Sequence, residues 1–240
     1  MKRHLCLLPL SCLPGLAVAQ GASAELEPVV VTGSRLEARV FDAPYAIGVV
    51  DAQALRDGGL MVNLSESLVK VPGLTVNNRN NYAQDLQISS RGFGARSSFG
   101  VRGLRLYTDG IPATMPDGSG QVTHFDLAGA ERIEVLRGPF SALYGNSSGG
   151  VIALVSAPPK AAETLLSLDA GSFDTYQLRA SYAAPLANGW DIRASLAGFT
   201  TDGFRPHSEA ERLLGNVRLG WQGERDKLVL IAPIGAGANP

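Results

Sequence analysis

The residues Gly145-Asn146-Ser147-Ser148-Gly149 spell G-x-S-x-G, the pattern that lifts a serine nucleophile above the sheet of a hydrolase. That chemistry needs a strand running into the serine and a helix leaving it. Here Pro139 to Tyr144 reads as a short helical turn before the glycines, and Gly150 to Val155 as an apolar strand after them, so the order is reversed. A triad also needs a downstream histidine. His207 alone qualifies, in a polar loop-like stretch with nothing visible to orient it. A phosphate cradle would carry lysine and a hydroxyl after its last glycine, where Val151 and Ile152 stand instead. The stretch is therefore expected to be architecture, and the chain is expected to be no enzyme.

Two other groupings have chemistry to offer. Long glycine-rich connections at 77–85, 92–103 and 112–123 carry Arg79, Arg96 and Arg102 beside Tyr82, Gln84, Phe93 and Phe99. Guanidinium groups with aromatic neighbours suit an anionic or chelated small ligand, held by charge-assisted hydrogen bonds. Near the start, "LEPVVVTGSR" places three valines between Pro28 and Thr32-Gly33. Such a run favours an extended backbone, ready to join another sheet's edge or to serve as a first strand of its own domain.

These groups must be held by something, and the flanking sequence says what. Met1 to His4 is basic, Leu5 to Leu16 is apolar, and Ala17-Val18-Ala19 forms an A-x-A site, the arrangement of a secretory leader over residues 1–19. Pro9 and Pro14 interrupt the apolar stretch, which is too short for the roughly 20 residues of a spanning helix. Both cysteines, Cys6 and Cys12, fall inside this leader, so no thiol or metal-binding set is expected beyond it. Loss of Lys2 and Arg3 with the leader takes the formal charge from −1 to −3, which disfavours a nucleic-acid partner.

From Arg39 to about Pro158, short strand-like runs alternate with glycine punctuation. Ala46 to Val50, Leu74 to Val76, Leu86 to Ser89, Leu104 to Thr108 and Arg132 to Leu136 read as strands. Asn63 to Glu66 reads as a capping box, opening a short helix that Pro72-Gly73 stops. The expectation is a small α+β domain. After Pro158-Pro159 the period changes to two. Tyr176, Leu178, Ala180 and Tyr182 alternate with polar residues, as do Trp190, Ile192, Ala194 and Leu196, then Val217, Leu219 and Trp221. Connections at 186–189 and 222–225 are tight, whereas 200–212 is long and polar, the asymmetry of outer-membrane barrels.

Taken together, "PVVVTGSR", "VPGLTV", "ISSRGFG", "RLYTDGIPATMPDG" and "RIEVLRGPFSALYGNSSGGVI" resemble, in order, the signatures of TonB-dependent outer-membrane receptors. The resemblance implies an α+β plug domain followed by antiparallel strands of an incomplete transmembrane β-barrel. It divides the chain into a leader, a flexible segment at 20–38, a plug at 39–160, the first barrel strands at 161–232 and an irregular tail at 233–240. Glu27, Pro28, Val29, Val30, Val31 and Thr32 match the box that the TonB C-terminal domain pairs with. Arg91 and Arg137 match plug arginines that pair with glutamates on the barrel wall.

The branch it looks closest to contains the iron dicitrate and pyrroloquinoline quinone receptors, which implies uptake of a ferric siderophore or other carboxylate-rich chelate. Tyr82, Gln84, Arg96 and Arg102 are the ligand contacts this suggests. The implied partners are TonB, a small-molecule ligand and outer-membrane lipid. Only about five strands fit after Thr164, where the family's barrel has about 22. The sequence thus predicts a truncated wall whose strands stay poorly ordered, aggregate or pair wrongly. The alternative is a secreted periplasmic plug-like module that binds or regulates without transport.

Overall fold

The computed structural model describes residues 30–31, 38–39, 45–78, 86–98, 100–138, 141–145, 147–156 and 158–238. Two short strands come first, β1 (Val30–Val31) and β2 (Ala38–Arg39), paired antiparallel. There follow β3 (Ala46–Asp51), α1 (Ala52–Arg56), α2 (Ser65–Leu68), β4 (Leu74–Asn77), β5 (Gln87–Ser90), β6 (Val101–Arg102), β7 (Arg105–Thr108), β8 (Ile111–Pro112), β9 (Ser119–Gly120), β10 (Arg132–Arg137), α3 (Ser141–Tyr144) and β11 (Gly150–Val155). Five long strands complete the described chain: β12 (Glu163–Gly171), β13 (Thr175–Pro185), β14 (Trp190–Thr201), β15 (Ala210–Gln222) and β16 (Lys227–Ala238).

The mixed domain is built on a five-stranded sheet in the order β3-β10-β11-β7-β8, with only the β11 to β7 pairing parallel. Apolar residues recur at every second position where one face must be covered, and run continuously where both are. β10 is the central case: Ile133, Glu134, Val135 and Leu136 are all buried. Leu55, Leu68, Ile88, Leu106, Ile133 and Ile152 are at most 1% exposed and form the core with Val135. Each such side chain contributes about 1.5–3 kcal/mol. Glu134 is tolerated at the centre because the Arg132 guanidinium Nε donates to it at 2.8 Å.

Local chemistry sets the connections. Asp51 caps α1 by accepting from the Ala54 N–H at 2.7 Å, a helix the sequence reading did not anticipate. The expected capping box is half formed: Glu66 accepts from the Met61, Val62 and Asn63 N–H groups at 2.7, 3.0 and 2.8 Å, while the N-cap Leu64 supplies no side-chain bond. Asp109 and Gly110 both have positive φ, 49° and 82°, and close the two-residue hairpin between β7 and β8. The connections at 92–103 and 112–123 carry structure of their own, since β6 pairs with β9 and β8 lies on the main sheet.

The last five strands form one antiparallel meander, β12-β13-β14-β15-β16. Its register puts Leu168 opposite Leu178, Tyr182 opposite Ala194, Ala194 opposite Val217 and Val217 opposite Ala232. One face is thereby apolar and exposed, with Leu166, Leu168 and Ile234 all at least 70% exposed. The other face carries Gln177, Arg179, Asp191, Arg193, Ser195, Arg212, Asn216 and Arg218 and lies toward the mixed domain. Trp190 and Trp221 stand directly opposite one another at one end of the apolar face, 6.3 Å apart. Asn188 and Gly189, both with positive φ, close the neighbouring turn.

The strands after Thr164 form one continuous meander whose polar face is packed against the mixed domain. One expectation is corrected here. The segment from 233 is no irregular tail: β16 runs to Ala238, with Ile234 and Ala236 keeping the two-residue period against Gly215 and Leu213. Pro233 is accommodated because β16 is the edge strand of the sheet, where one side needs no ladder donor.

Candidate functional site

The serine of the G-x-S-x-G stretch is structural. Ser147 is 2% exposed and its hydroxyl donates to the Gly150 carbonyl at 2.5 Å, holding the glycine turn that feeds β11 beside β10. His207 lies in the loop between β14 and β15, exposed and with φ 61°, and takes no part in a constellation with Ser147.

Arg91 and Arg137 converge on one turn. The Arg91 N–H donates to the Gly73 carbonyl at 3.1 Å, and the Arg137 guanidinium donates to the adjacent Pro72 carbonyl and lies over Gly73. Arg91 has φ 49° and its side chain is exposed. No carboxylate among the described residues is within ion-pair distance of either arginine.

Arg96 and Arg102 are exposed on a compact loop rather than an open one. Gln87 ties that loop down by donating to the Ala95 and Ser97 carbonyls at 2.7 and 3.1 Å. Arg102 pairs with Asp117 at 3.7 Å. Hydrogen bonds from Ser119 hold the Asp117 carboxyl below its usual range, and Arg102 adds to the effect. Tyr82, Gln84, Glu27, Pro28, Val29 and Thr32 lie outside the described residues. Val30 and Val31 are extended and paired with Arg39 and Ala38.

The densest polar contacts join the mixed domain to the polar face of the meander. Asp126, 7% exposed, accepts from the Gly129 N–H at 3.1 Å with one oxygen and from Ser195 and Asn216 at 2.5 and 3.2 Å with the other. Arg212 of β15 donates to the Val62 carbonyl at 2.6 Å and to that of Thr123. Arg218, 2% exposed, pairs with Asp191 and lies 3.9 Å from Asp109, whose carboxylate also accepts from the Ser156 N–H and hydroxyl at 2.7 and 2.6 Å. Burial holds the His124 imidazole below its usual pKa of 6.5, and the nearby Arg212 guanidinium adds to this. A cavity of about 180 Å³ lies in this seam, between Asp109, His124, Asp126, Arg193 and Arg218.

A domain with this mixed sheet is thus seated on the polar face of a strand meander whose other face is exposed and apolar. A model of the TonB-dependent Receptor Plug Domain matches residues 39–151. The chain belongs to the TonB-dependent receptors. The pesticin receptor of Yersinia pestis is 32% identical over 181 residues, 74% of this chain and 26% of that protein. The vitamin B12 transporter BtuB of Photobacterium profundum is 31% identical over 215 residues, 87% of this chain and 34% of the relative. The pyoverdine outer membrane receptor FpvA of Pseudomonas aeruginosa PAO1, solved with pyoverdine bound, superposes with a TM-score of 0.65 at 26% identity, over 87% of this chain and 29% of that one.

The chain thus spans about a quarter to a third of the length of these relatives. Its mixed domain is the plug of that family. Arg193, Arg212, Arg218 and their plug partners Asp109 and Asp126 were not singled out from the sequence. The signal was present in the charged residues on the polar side of β14 and β15, but which plug groups meet them is a matter of tertiary position.

Proposed function

We propose that this chain forms the plug and first wall strands of a receptor for energy-coupled uptake of an anionic chelate, a ferric siderophore or another carboxylate-rich ligand. The observation that carries this reading is the plug's attachment to the wall through a set of hydrogen bonds and ion pairs. Hydrogen bonds of this kind exchange for water at small net cost, so a pull that admits water to the seam can release the plug.

The pull would enter at Glu27 to Thr32. Val30 and Val31 already hold the extended backbone that strand addition requires, though pairing with Arg39 and Ala38 must give way first. Arg96 and Arg102 would meet the ligand's carboxylates, together with Tyr82 and Gln84. Arg91 and Arg137 would anchor the plug to acids on the barrel wall. Residues 1–19 would direct export.

The test is the substitution Val30→Pro, which removes a ladder donor. Immobilised TonB C-terminal domain should retain the unsubstituted chain and lose the variant. Equal retention of both would sink the coupling role of this segment.

A further inference from the structure

The wall's polar face has a charge problem that only the plug solves. In the β14–β15 register Arg193 stands directly opposite Arg218, and Arg212 lies on the same face of β15. Like charges facing one another across a strand pair destabilise a sheet. Among the described residues of the wall, Asp191 takes Arg218. Further counter-charges come from the plug: Asp109, 3.9 Å from the Arg218 Nε, and Asp126, which docks on Ser195 and Asn216 beside Arg193. Arg212 is held by the plug carbonyls of Val62 and Thr123, with the Glu66 charge nearby. Lift the plug and the three guanidinium groups lose these partners together.

The seam is also incompletely filled. The cavity of about 180 Å³ separates Asp109 and Asp126 from one another with Arg193 and Arg218 in its lining. Arg218 is 2% exposed, yet its Nε has no hydrogen-bond partner. A buried guanidinium with a spare donor beside a cavity is poised for an oxygen anion, since its planar fork matches a carboxylate.

We propose that Arg193, Arg212 and Arg218 form an anion track masked by the plug, in which Asp109 and Asp126 occupy the seats that carboxylates of a passing ligand take when the plug shifts. The proposal deepens the uptake reading above and rests on the plug being movable. It assigns the substrate class from the wall itself: a polyanion bearing several carboxylates, able to replace the plug's acids one at a time. A neutral or cationic ligand would gain nothing on this strip.

Citrate serves as the probe, titrated calorimetrically into the detergent-solubilised full chain at ionic strength held constant with chloride. In the unaltered chain the seats are filled and citrate binding is weak. Asp109→Asn with Asp126→Asn vacates the charge while keeping an acceptor for Ser156 and Gly129, and citrate should then bind at least tenfold more tightly. Adding Arg193→Gln and Arg212→Gln should abolish that gain. Citrate affinity unchanged in the double asparagine variant, or a gain that survives loss of the arginines, overturns the proposal.

If the double variant does not fold, hydrogen exchange at residues 123–129 of the unaltered chain decides: faster exchange in citrate than in chloride supports the track, and equal exchange refutes it. Neither measurement involves TonB. The track can therefore fail while Val30→Pro still abolishes TonB retention, and the reverse.

Discussion

Replacing Gly150 with alanine tests the architectural reading of the glycine stretch most directly. Gly150 opens β11 opposite Arg137 with φ 122°, a conformation L side chains rarely adopt. A Cβ there would overlap the Leu136 carbonyl oxygen and lie 3.0 Å from the Leu136 carbonyl carbon and 3.2 Å from the Arg137 Cα. All three are backbone atoms of the interior strand β10, so no side chain can swing aside. The strained φ alone costs about 1–3 kcal/mol, and parting β10 from β11 adds to it. A total of about 3 kcal/mol or more corresponds to a rise of more than about 100-fold in native-state hydrogen exchange across β10 and β11. Ser147→Ala, losing one buried hydrogen bond to Gly150, should cost about 1–3 kcal/mol and raise the same exchange by less. Exchange in Gly150→Ala equal to that of the unaltered chain would refute the steric argument.

Three further outcomes follow from other parts of the molecule. Because the folded pKa of His124 lies below 6.5, the unfolded chain binds more protons in the window beneath that value, and stability must fall as pH drops through it. Protection against exchange at 123–129, with the intrinsic pH dependence of amide exchange divided out, should fall between pH 7.5 and 5.5, and His124→Gln should flatten the dependence. Leu196→Arg puts a charge on the bare apolar face, 51% exposed, at about 2–4 kcal/mol if the residue sits near the bilayer midplane. Its recovery in the membrane fraction should fall, whereas Arg179→Gln on the opposite face should leave that fraction unchanged. Glu66→Ala removes the acceptor for three N–H groups at 61–63 and should destabilise the plug by several kcal/mol in chemical denaturation.

How much of this was legible depended on the range of the interaction. Strand runs such as Arg132 to Leu136, the Asp109-Gly110 turn and the alternation from Tyr176 to Trp221 are written in residues a few positions apart, and each formed as read. α1 was missed because its sole marker is Asp51, a cap indistinguishable in sequence from a polar strand end. β16 was cut short because Pro233, Gly235 and Gly237 look like a broken strand until an edge position and a facing strand excuse them. Arg91 and Arg137 were matched by motif, and the structure adds that both bind the Pro72-Gly73 turn. The contacts of Asp126 with Ser195 and Asn216 join residues 69 and 90 positions apart, and no local pattern announces such a meeting.

The placement of the indoles has a practical side. Both of the chain's tryptophans, Trp190 and Trp221, stand at one rim of the exposed apolar surface, and the plug has neither. Tryptophan emission, excited at the red edge where tyrosine does not absorb, therefore follows the polarity around that rim and is blind to the stopper. A blue shift on adding vesicles would report insertion of the sheet alone, so motion of the plug can be followed by an added dye without an optical background of its own.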